Sequence, residues 1–209
     1  TGGMPTRILL SGENHSKLND GTVEEQRDEF AEEQDHLREL LVQEPRGHQD
    51  MFGAVPTVPA DDEADMGLFF MDHGGYLDMC GHGTMGVVAA FIETNRLSAK
   101  LPIKIETPAG IVEAYPEVSD GRVTSVGLKN VHSYVVDTID VELTDDIGPE
   151  RVTAHIVYAG NYFAMVDIDQ VDLELDTEYT TQFIDLGLTI RETINRSEER
   201  RVGKECIVK

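Results

Sequence analysis

The 209 residues include 40 acidic and 17 basic side chains, which gives a formal net charge of −23, and 40% of the residues are hydrophobic. This charge argues against a nucleic-acid-binding protein, because contact with phosphates normally requires a basic face. The sequence has no run of about 18 apolar residues, so we expect no membrane-spanning helix. Its two cysteines lie far apart in different contexts, which argues against a disulfide scaffold and is typical of a reducing cytoplasm.

The first predicted elements are a strand and a long helix. An apolar strand is expected at Thr6–Leu10, and a polar loop at Gly12–Gly21 follows it. Helical periodicity then extends from Thr22 to Gln43, with Thr22 suited to the N-cap and acidic residues in the first turn. Pro45 should end this helix, whose acidic residues we expect to form a solvated face.

The next segment predicts two strands and a tight hairpin. The strands are expected at Met51–Val58 and Met66–Asp72, and His73-Gly74-Gly75 is a typical hairpin turn into a strand at Tyr76–Met79. His73 at this turn should be exposed to solvent. A helix is then expected to run to about Asn95.

The rest of the chain is rich in predicted strands, with one more helix near its end. Such an arrangement indicates an α+β fold with largely antiparallel sheets. The strands are expected at Ile103–Thr107, Ile111–Tyr115, Val123–Val131, Tyr134–Val141, Val152–Val157 and Asn161–Val166, and the helix at about Thr177–Ile194.

The stretch Asp78–Gly86, with the sequence DMCGHGTMG, carries the strongest chemical signal. Its glycines allow a sharp turn, and the helix that follows presents N–H groups and a partial positive charge at its N-terminus. A thiol there should ionise below the ordinary cysteine pKa of about 8.5, particularly beside a cationic or polarising His82. Cys80 is therefore the candidate nucleophile or base.

Two other interpretations of this stretch remain open on the residues alone. Gly81-x-Gly83-x-x-Gly86 matches the dinucleotide-binding fingerprint, which also requires a parallel βαβ unit and an acidic residue about 20 positions later. Glu106 lies near that distance, although the Thr107–Gly110 turn after it favours an antiparallel meander. In the second interpretation Cys80 is a buried structural cysteine beside helix-packing glycines.

Three motifs in order resemble the proline racemase family, which comprises proline racemases, hydroxyproline epimerases and 3-hydroxyproline dehydratases. They are TGGMPTR at residues 1–7, EPRGHQDMFGA at residues 44–54 and MCGHGT at residues 79–84. The resemblance implies a diaminopimelate-epimerase-like fold of two similar halves, with mixed, largely antiparallel sheets around a central helix and the active site between the halves. It also implies an enzyme without a cofactor, in which Cys80 moves the α-proton of a cyclic amino acid.

The resemblance also suggests roles for the neighbours of Cys80. His82 would act beside Cys80 as a catalytic group that polarises the thiol or the substrate. The backbone N–H groups around Gly81, Gly83 and Thr84 would hold the substrate carboxylate. Phe52 would form an apolar wall of the pocket, although an ordinary core position remains open for it. No histidine or cysteine spacing indicates a metal site, so we assign none.

The resemblance divides the chain at Asn195. Residues 1–195 would be essentially one of the two halves, truncated at both ends, and residues 196–209 a non-native tail. In this tail the run RSEERRVGKEC brings basic residues abruptly into an acidic chain, and a common sequencing adapter encodes it in one frame. Cys206 should therefore not be the family's second catalytic cysteine.

The sequence thus predicts a racemase or epimerase of proline or hydroxyproline, inactive as this portion alone because the second acid–base group is missing. The alternatives are a trans-3-hydroxy-L-proline dehydratase and a non-catalytic fragment that binds an amino acid. The expected partner is a small-molecule substrate, with no nucleic acid and no membrane, and a homodimer is one assembly that the full-length protein could form.

Dense carboxylates and scarce lysine resemble proteins of halophiles that accumulate salt, and they suggest a halophilic archaeon as the source. Salt shortens the range of charge repulsion, from about 10 Å at 0.1 M to about 3 Å at 1 M. The melting temperature of the full-length protein should therefore rise between low salt and molar KCl. A melting temperature that stays flat across this range would contradict the halophilic interpretation.

Overall fold

The computed structural model describes residues 3–10, 18, 20–143 and 148–202, with side chains described as far as residue 196. The chain divides into two compact units, residues 1–131 and 132–209. This boundary falls inside residues 1–195, which were expected to form one half. The sequence has no local signal for it, because the linking residues 130–133 contain neither glycine nor proline.

The first unit contains seven strands and two helices among its described residues. The strands are β1 (Thr6–Ile8), β2 (Phe52–Thr57), β3 (Met66–Asp72), β4 (Gly75–Leu77), β5 (Ile103–Thr107), β6 (Gly110–Ser119) and β7 (Arg122–Lys129), and the helices are α1 (Val23–Val42) and α2 (Gly81–Glu93). The strands form one sheet in the order β1-β2-β3-β5-β6-β7, and β4 also pairs with β3. The predicted elements are confirmed, with ends that differ by a few residues.

The sheet is mostly antiparallel, as predicted, but it contains two parallel pairs. β1 runs parallel to β2, and β3 runs parallel to β5, to which it is connected through β4 and α2. The β3–α2–β5 segment is therefore a parallel crossover that the sequence analysis did not anticipate. All other strand pairs in this unit are antiparallel.

β3 is buried on both faces, which explains why its sequence MGLFFMD is almost continuously apolar. Phe69 and Met71 face α1 and pack in a core with residues such as Phe30. Leu68 and Phe70 belong to the core on the opposite face, against α2. β3 thus lies between the two helices.

The start of α1 is fixed by a capping box and by a buried glutamine. Thr22 Oγ1 accepts the N–H of Glu25 at 3.2 Å, and the Glu25 carboxylate accepts the N–H of Thr22 at 2.9 Å. Gln26 is 2% exposed and donates to the carbonyls of Gly21 and Val58 at 2.8 and 2.9 Å. The predicted N-cap is therefore confirmed, and Gln26 joins the helix to the end of β2.

The second unit has a three-stranded sheet and a helix among its described residues. These elements are β8 (Tyr134–Glu142), β9 (Arg151–Tyr158), β10 (Tyr162–Val166) and α3 (Thr180–Val202). β9 lies between β8 and β10, antiparallel to both. Ile190 and Ile194 of α3 belong to the same core as Ala154 and Ile156 of β9.

The final helix begins and ends later than predicted. Residues Thr177–Tyr179 form a 3-10 turn, and α3 extends through Val202. Of the described helices, none is both long enough and apolar enough to cross a membrane. Cys206, residues 1–2 and most of the predicted Gly12–Gly21 loop lie outside the described residues.

Candidate active site

Cys80 lies where a strand, a tight turn and a helix meet. Asp72 Oδ1 accepts the N–H groups of Gly74 and Gly75 at 2.8 and 2.9 Å, which closes the turn between β3 and β4. Gly75 has a φ of 149°, a backbone conformation that favours glycine. β4 then leads through Asp78 and Met79 to Cys80, the N-cap residue of α2.

The Cys80 thiol is buried and has two polar neighbours. The residue is 8% exposed, and its Sγ lies 3.4 Å from Nδ1 of His82. The backbone N–H of Gly83 favours the thiolate and so lowers the pKa of Cys80. The predicted closeness of Cys80 and His82 is therefore present in the structure.

The predicted depression of the thiol pKa is wrong for this structure. Burial raises the pKa of Cys80, the hydrogen bond from Gly83 lowers it, and the negative charge of Asp72 raises it again. Desolvation of the thiolate is the largest of these effects. At neutral pH the thiol consequently keeps its proton.

His82 is a neutral neighbour of the thiol, so of the two roles that the sequence suggested, cationic or polarising, the cationic one is wrong for this structure. Burial lowers its pKa below the ordinary histidine value. Its Nε2 is buried and has no hydrogen-bond partner within the described part of the chain. A neutral imidazole can accept the thiol proton at Nδ1 or donate a proton to the thiolate, according to the nitrogen that is protonated.

Phe52 lies beside His82, as expected for a wall of the same site. The two ring centroids are 4.7 Å apart with an interplanar angle of 90°. Phe52 is the first residue of β2 and is half-buried, packed against the core between the sheet and α2. Its ring restricts the orientation of the imidazole.

The first turn of α2 offers fewer free N–H groups than predicted. The first N–H groups of any helix lack partners within that helix. Here Thr84 donates both its N–H (2.9 Å) and its hydroxyl (2.8 Å) to the carbonyl of Cys80. Thr84 therefore holds Cys80, and its N–H is not available to a ligand.

Several residues around the thiol escaped the sequence analysis. Phe70 of β3 packs against Gly83, and the charge of Asp72 acts on the thiol. Arg38 of α1 binds the backbone of the β3–β4 turn. A local signal existed for Asp72, an acceptor just before a His-Gly-Gly turn, but the other contacts are long-range.

The structure meets one of the two requirements of a dinucleotide-binding site. The parallel β3–α2–β5 crossover exists, but the acidic residue is already used. The Glu106 carboxylate accepts the N–H groups of Ala60 and Asp61 at 2.6 and 2.9 Å and that of Val23 at 3.4 Å. Glu106 thus caps α1 and a loop and is not available to a ribose.

Comparison with known proteins identifies the protein family of this chain. The sequence model of the family described as proline racemase matches residues 1–205, which extends ten residues beyond the predicted limit of the resemblance at Asn195. The chain belongs to the proline racemase family. The fold is the diaminopimelate-epimerase-like α+β fold that the sequence predicts.

Two relatives with assigned names cover nearly the whole chain. The chain is 38% identical to the 4-hydroxyproline 2-epimerase of Streptosporangium roseum, covering 95% of this chain and 60% of that protein. It is 36% identical to the proline racemase of Clostridioides difficile, covering 95% and 59%. The chain therefore spans about 60% of the length of these relatives.

Two solved structures share the fold. A hydroxyproline epimerase from Agrobacterium vitis, crystallised with trans-4-hydroxy-L-proline, gives a TM-score of 0.82 at 23% identity, covering 92% of this chain and 56% of that chain. A probable proline racemase from Agrobacterium radiobacter K84, with bound carbonate, gives 0.78 at 26% identity and covers 92% and 57%.

The packing of Gly83 generates a stability prediction. A Cβ at this position would lie 3.0 Å from the Phe70 ring and 3.2 Å from Cys80 Sγ, whereas one at Gly81 would lie 3.8 Å from Leu128. Because Phe70 is fully buried and its ring cannot easily shift, Gly83→Ala should cost about 1–3 kcal/mol of unfolding free energy in urea. Gly81→Ala is the matched control and should change it by less than about 1 kcal/mol. Equal effects of both substitutions would contradict the packing analysis.

Proposed function

We propose that this chain supplies one acid–base face of a cofactor-independent racemase or epimerase acting on proline or a hydroxyproline. The observation that carries the proposal is the position of Cys80 at the N-cap of α2, with its Sγ 3.4 Å from His82 Nδ1. The family and its racemase and epimerase relatives support the same reaction class.

The chemistry is the transfer of one proton. The Cys80 thiolate takes the hydrogen from the substrate Cα, so the C–H bond breaks, an S–H bond forms, and the electron pair moves onto Cα and the carboxylate. Return of a proton to Cα regenerates the thiolate and the amino acid. The neutral His82 is the acceptor within reach of the thiol proton, and because burial raises the pKa of Cys80 and lowers that of His82, only a small fraction of the pair carries the thiolate at any time.

The raised pKa of Cys80 suits a difficult proton abstraction. An α-hydrogen is much less acidic than a thiol, and a thiolate becomes a stronger base as the pKa of its thiol rises. Burial raises the pKa of this thiol, so the thiolate that forms is more basic than an exposed one. The same burial limits contact of the thiolate with water, which would solvate the anion and make it a weaker base.

The substrate carboxylate would bind at the N–H groups of Gly81 and His82. These groups lie at the positive end of α2, where the helix dipole favours an anion. They would also stabilise the charge that develops on the carboxylate when the α-proton leaves. Phe52 would provide an apolar surface for the ring carbons of the substrate.

Inversion at Cα needs a second acid–base group on the opposite face of the substrate. Cys80 is the only cysteine in the described part of the chain, and the chain spans about 60% of its relatives' length. We therefore propose that this chain alone exchanges the α-proton with solvent but does not invert the amino acid.

A hydrogen-exchange experiment tests this proposal. The chain is incubated in D₂O with L-proline or trans-4-hydroxy-L-proline, and the Cα–H signal is followed by NMR together with chirality. We expect exchange without inversion, complete loss of exchange in Cys80→Ala, and about a hundredfold slower exchange in His82→Gln. His73→Gln, at an exposed histidine of the neighbouring turn, is the control and should exchange normally.

The other outcomes of this experiment are equally informative. Exchange that persists in Cys80→Ala would exclude Cys80 as the base, and inversion would show that a second group is present. Absence of exchange in the parent chain would favour the non-catalytic, amino-acid-binding alternative. In a parallel incubation with trans-3-hydroxy-L-proline, dehydration of that substrate would favour the dehydratase alternative.

The pKa of Cys80 can be measured from its alkylation. In a Cys206→Ser background, which leaves Cys80 as the single thiol, the rate of reaction with iodoacetamide is measured against pH. Because burial raises the pKa of Cys80, the midpoint should lie above the ordinary value of about 8.5. A midpoint below that value would restore the sequence-based expectation of an activated thiolate. Pyrrole-2-carboxylate, a planar mimic of the carbanion, should protect the thiol.

A further inference from the structure

Residues 72–80, here called the Cys80 arm, connect the sheet to the candidate catalytic thiol. The arm comprises the β3–β4 turn, β4 and the short segment that leads to Cys80. Besides its pairing with β3 and the packing of Tyr76 on Phe30 and Phe69, the arm contacts two arginines of α1. Arg38 binds its beginning and Arg27 binds it near its end, and the two arginines are about three helical turns apart.

All three guanidinium nitrogens of Arg38 donate hydrogen bonds, either to the beginning of the arm or to Asp35. Its Nη1 donates to the carbonyls of Asp72 and His73 at 3.2 and 3.0 Å. Its Nε and Nη2 donate to the two carboxylate oxygens of Asp35 at 2.6 and 2.9 Å. The guanidinium carbon lies 5.8 Å from the ring centroid of Tyr76, whose hydroxyl donates to Asp35 at 2.8 Å.

Arg27 binds the arm two residues before Cys80. Its guanidinium forms an ion pair with the Asp78 carboxylate and also contacts Asp28 at 2.7 Å. The side chains of Arg27 and Arg38 are only 14% and 10% exposed, although both carry a full charge. In a chain of net charge −23, two of the scarce cations are thus largely buried against one nine-residue segment.

The contacts of Arg38 depend on the shape of its guanidinium group as well as on its charge. Arg38 uses a planar guanidinium to bind a carboxylate bidentately and two backbone carbonyls at once, a geometry that a lysine cannot reproduce. The carbonyls that it binds belong to the turn that contains Asp72, whose charge raises the pKa of the thiol. A shift of this turn would change both the burial and the charge environment of Cys80.

We propose that Arg27 and Arg38 are positioning residues, which hold the Cys80 arm so that the thiol stays buried against His82. The inference rests on the proposed acid–base role of Cys80. It assigns to α1 a function that its sequence, with its acidic face, does not suggest.

Native-state alkylation of Cys80 tests the proposal. Arg27→Gln, Arg38→Gln and Arg38→Lys are made in the Cys206→Ser background of the whole chain, and the iodoacetamide rate is measured against pH where each variant is folded. Loosening the arm should expose the thiol, so both glutamine variants should react about tenfold faster than the parent. Arg38→Lys should react at a rate between those of the parent and Arg38→Gln, because an ammonium group can replace one of the contacts of Arg38.

The pH midpoint separates positioning from a direct effect of charge. His82 contacts the thiol, and Gly83 and Asp72 influence its pKa, whereas neither arginine is among the groups that shift it. Removing a cation that acted through space would raise the thiol pKa, whereas loss of burial should lower it. We expect the midpoint to fall in both glutamine variants.

Two controls separate positioning from general destabilisation. Gln26→Leu removes the buried hydrogen bonds of α1 to Gly21 and Val58, away from the arm, and Arg122→Gln removes an exposed cation of the same unit. Both controls should keep the parent rate and midpoint. Arginine variants that match Gln26→Leu, or a midpoint that rises, would overturn the proposal. Because alkylation needs no substrate, a chain without α-proton exchange would refute the proposed function but not the positioning role.

Discussion

The burial of β3 on both faces is the constraint on which the rest of the first unit depends. Phe69 and Met71 fill the core under α1, while Leu68 and Phe70 fill the core under α2. With β2 on one edge and β4 and β5 on the other, the strand can neither slip by one residue nor turn over without exchanging the two cores. Its fixed register determines where the β3–β4 turn falls and therefore where Cys80 begins α2.

The same packing determines the chemistry of the thiol. Phe70 lies so close to Gly83 that a Cβ there would force its ring to shift, and the Gly83 N–H lowers the pKa of the thiol. The surrounding apolar side chains raise the pKa of Cys80 and lower that of His82, so the pair is neutral before substrate binds. A neutral thiol–imidazole pair costs little to bury, and it becomes a strong base when the proton moves to His82.

Local signals in the sequence were sufficient to predict most elements and the closeness of Cys80 and His82. The limits of β3 were predicted without error, and Thr22 and Cys80 occupy the N-caps expected of them, because turns, caps and periodicity depend on neighbouring residues. The parallel β3–β5 pair, the direction of the thiol pKa shift and the contacts of Arg38 could not be predicted. Each depends on residues far apart in the chain, and the sequence of α1 indicated only a solvated face.

The central claim is that Cys80 takes the α-proton while the N–H groups of Gly81 and His82 hold the carboxylate. A crystal structure of the chain with pyrrole-2-carboxylate tests it most directly, because this analogue has the planar geometry of the carbanion. The account predicts that Cys80 Sγ lies about 3–3.5 Å from the analogue's α-carbon, with the carboxylate on the two N–H groups. An analogue bound away from the thiol, or a carboxylate held by other groups, would contradict it.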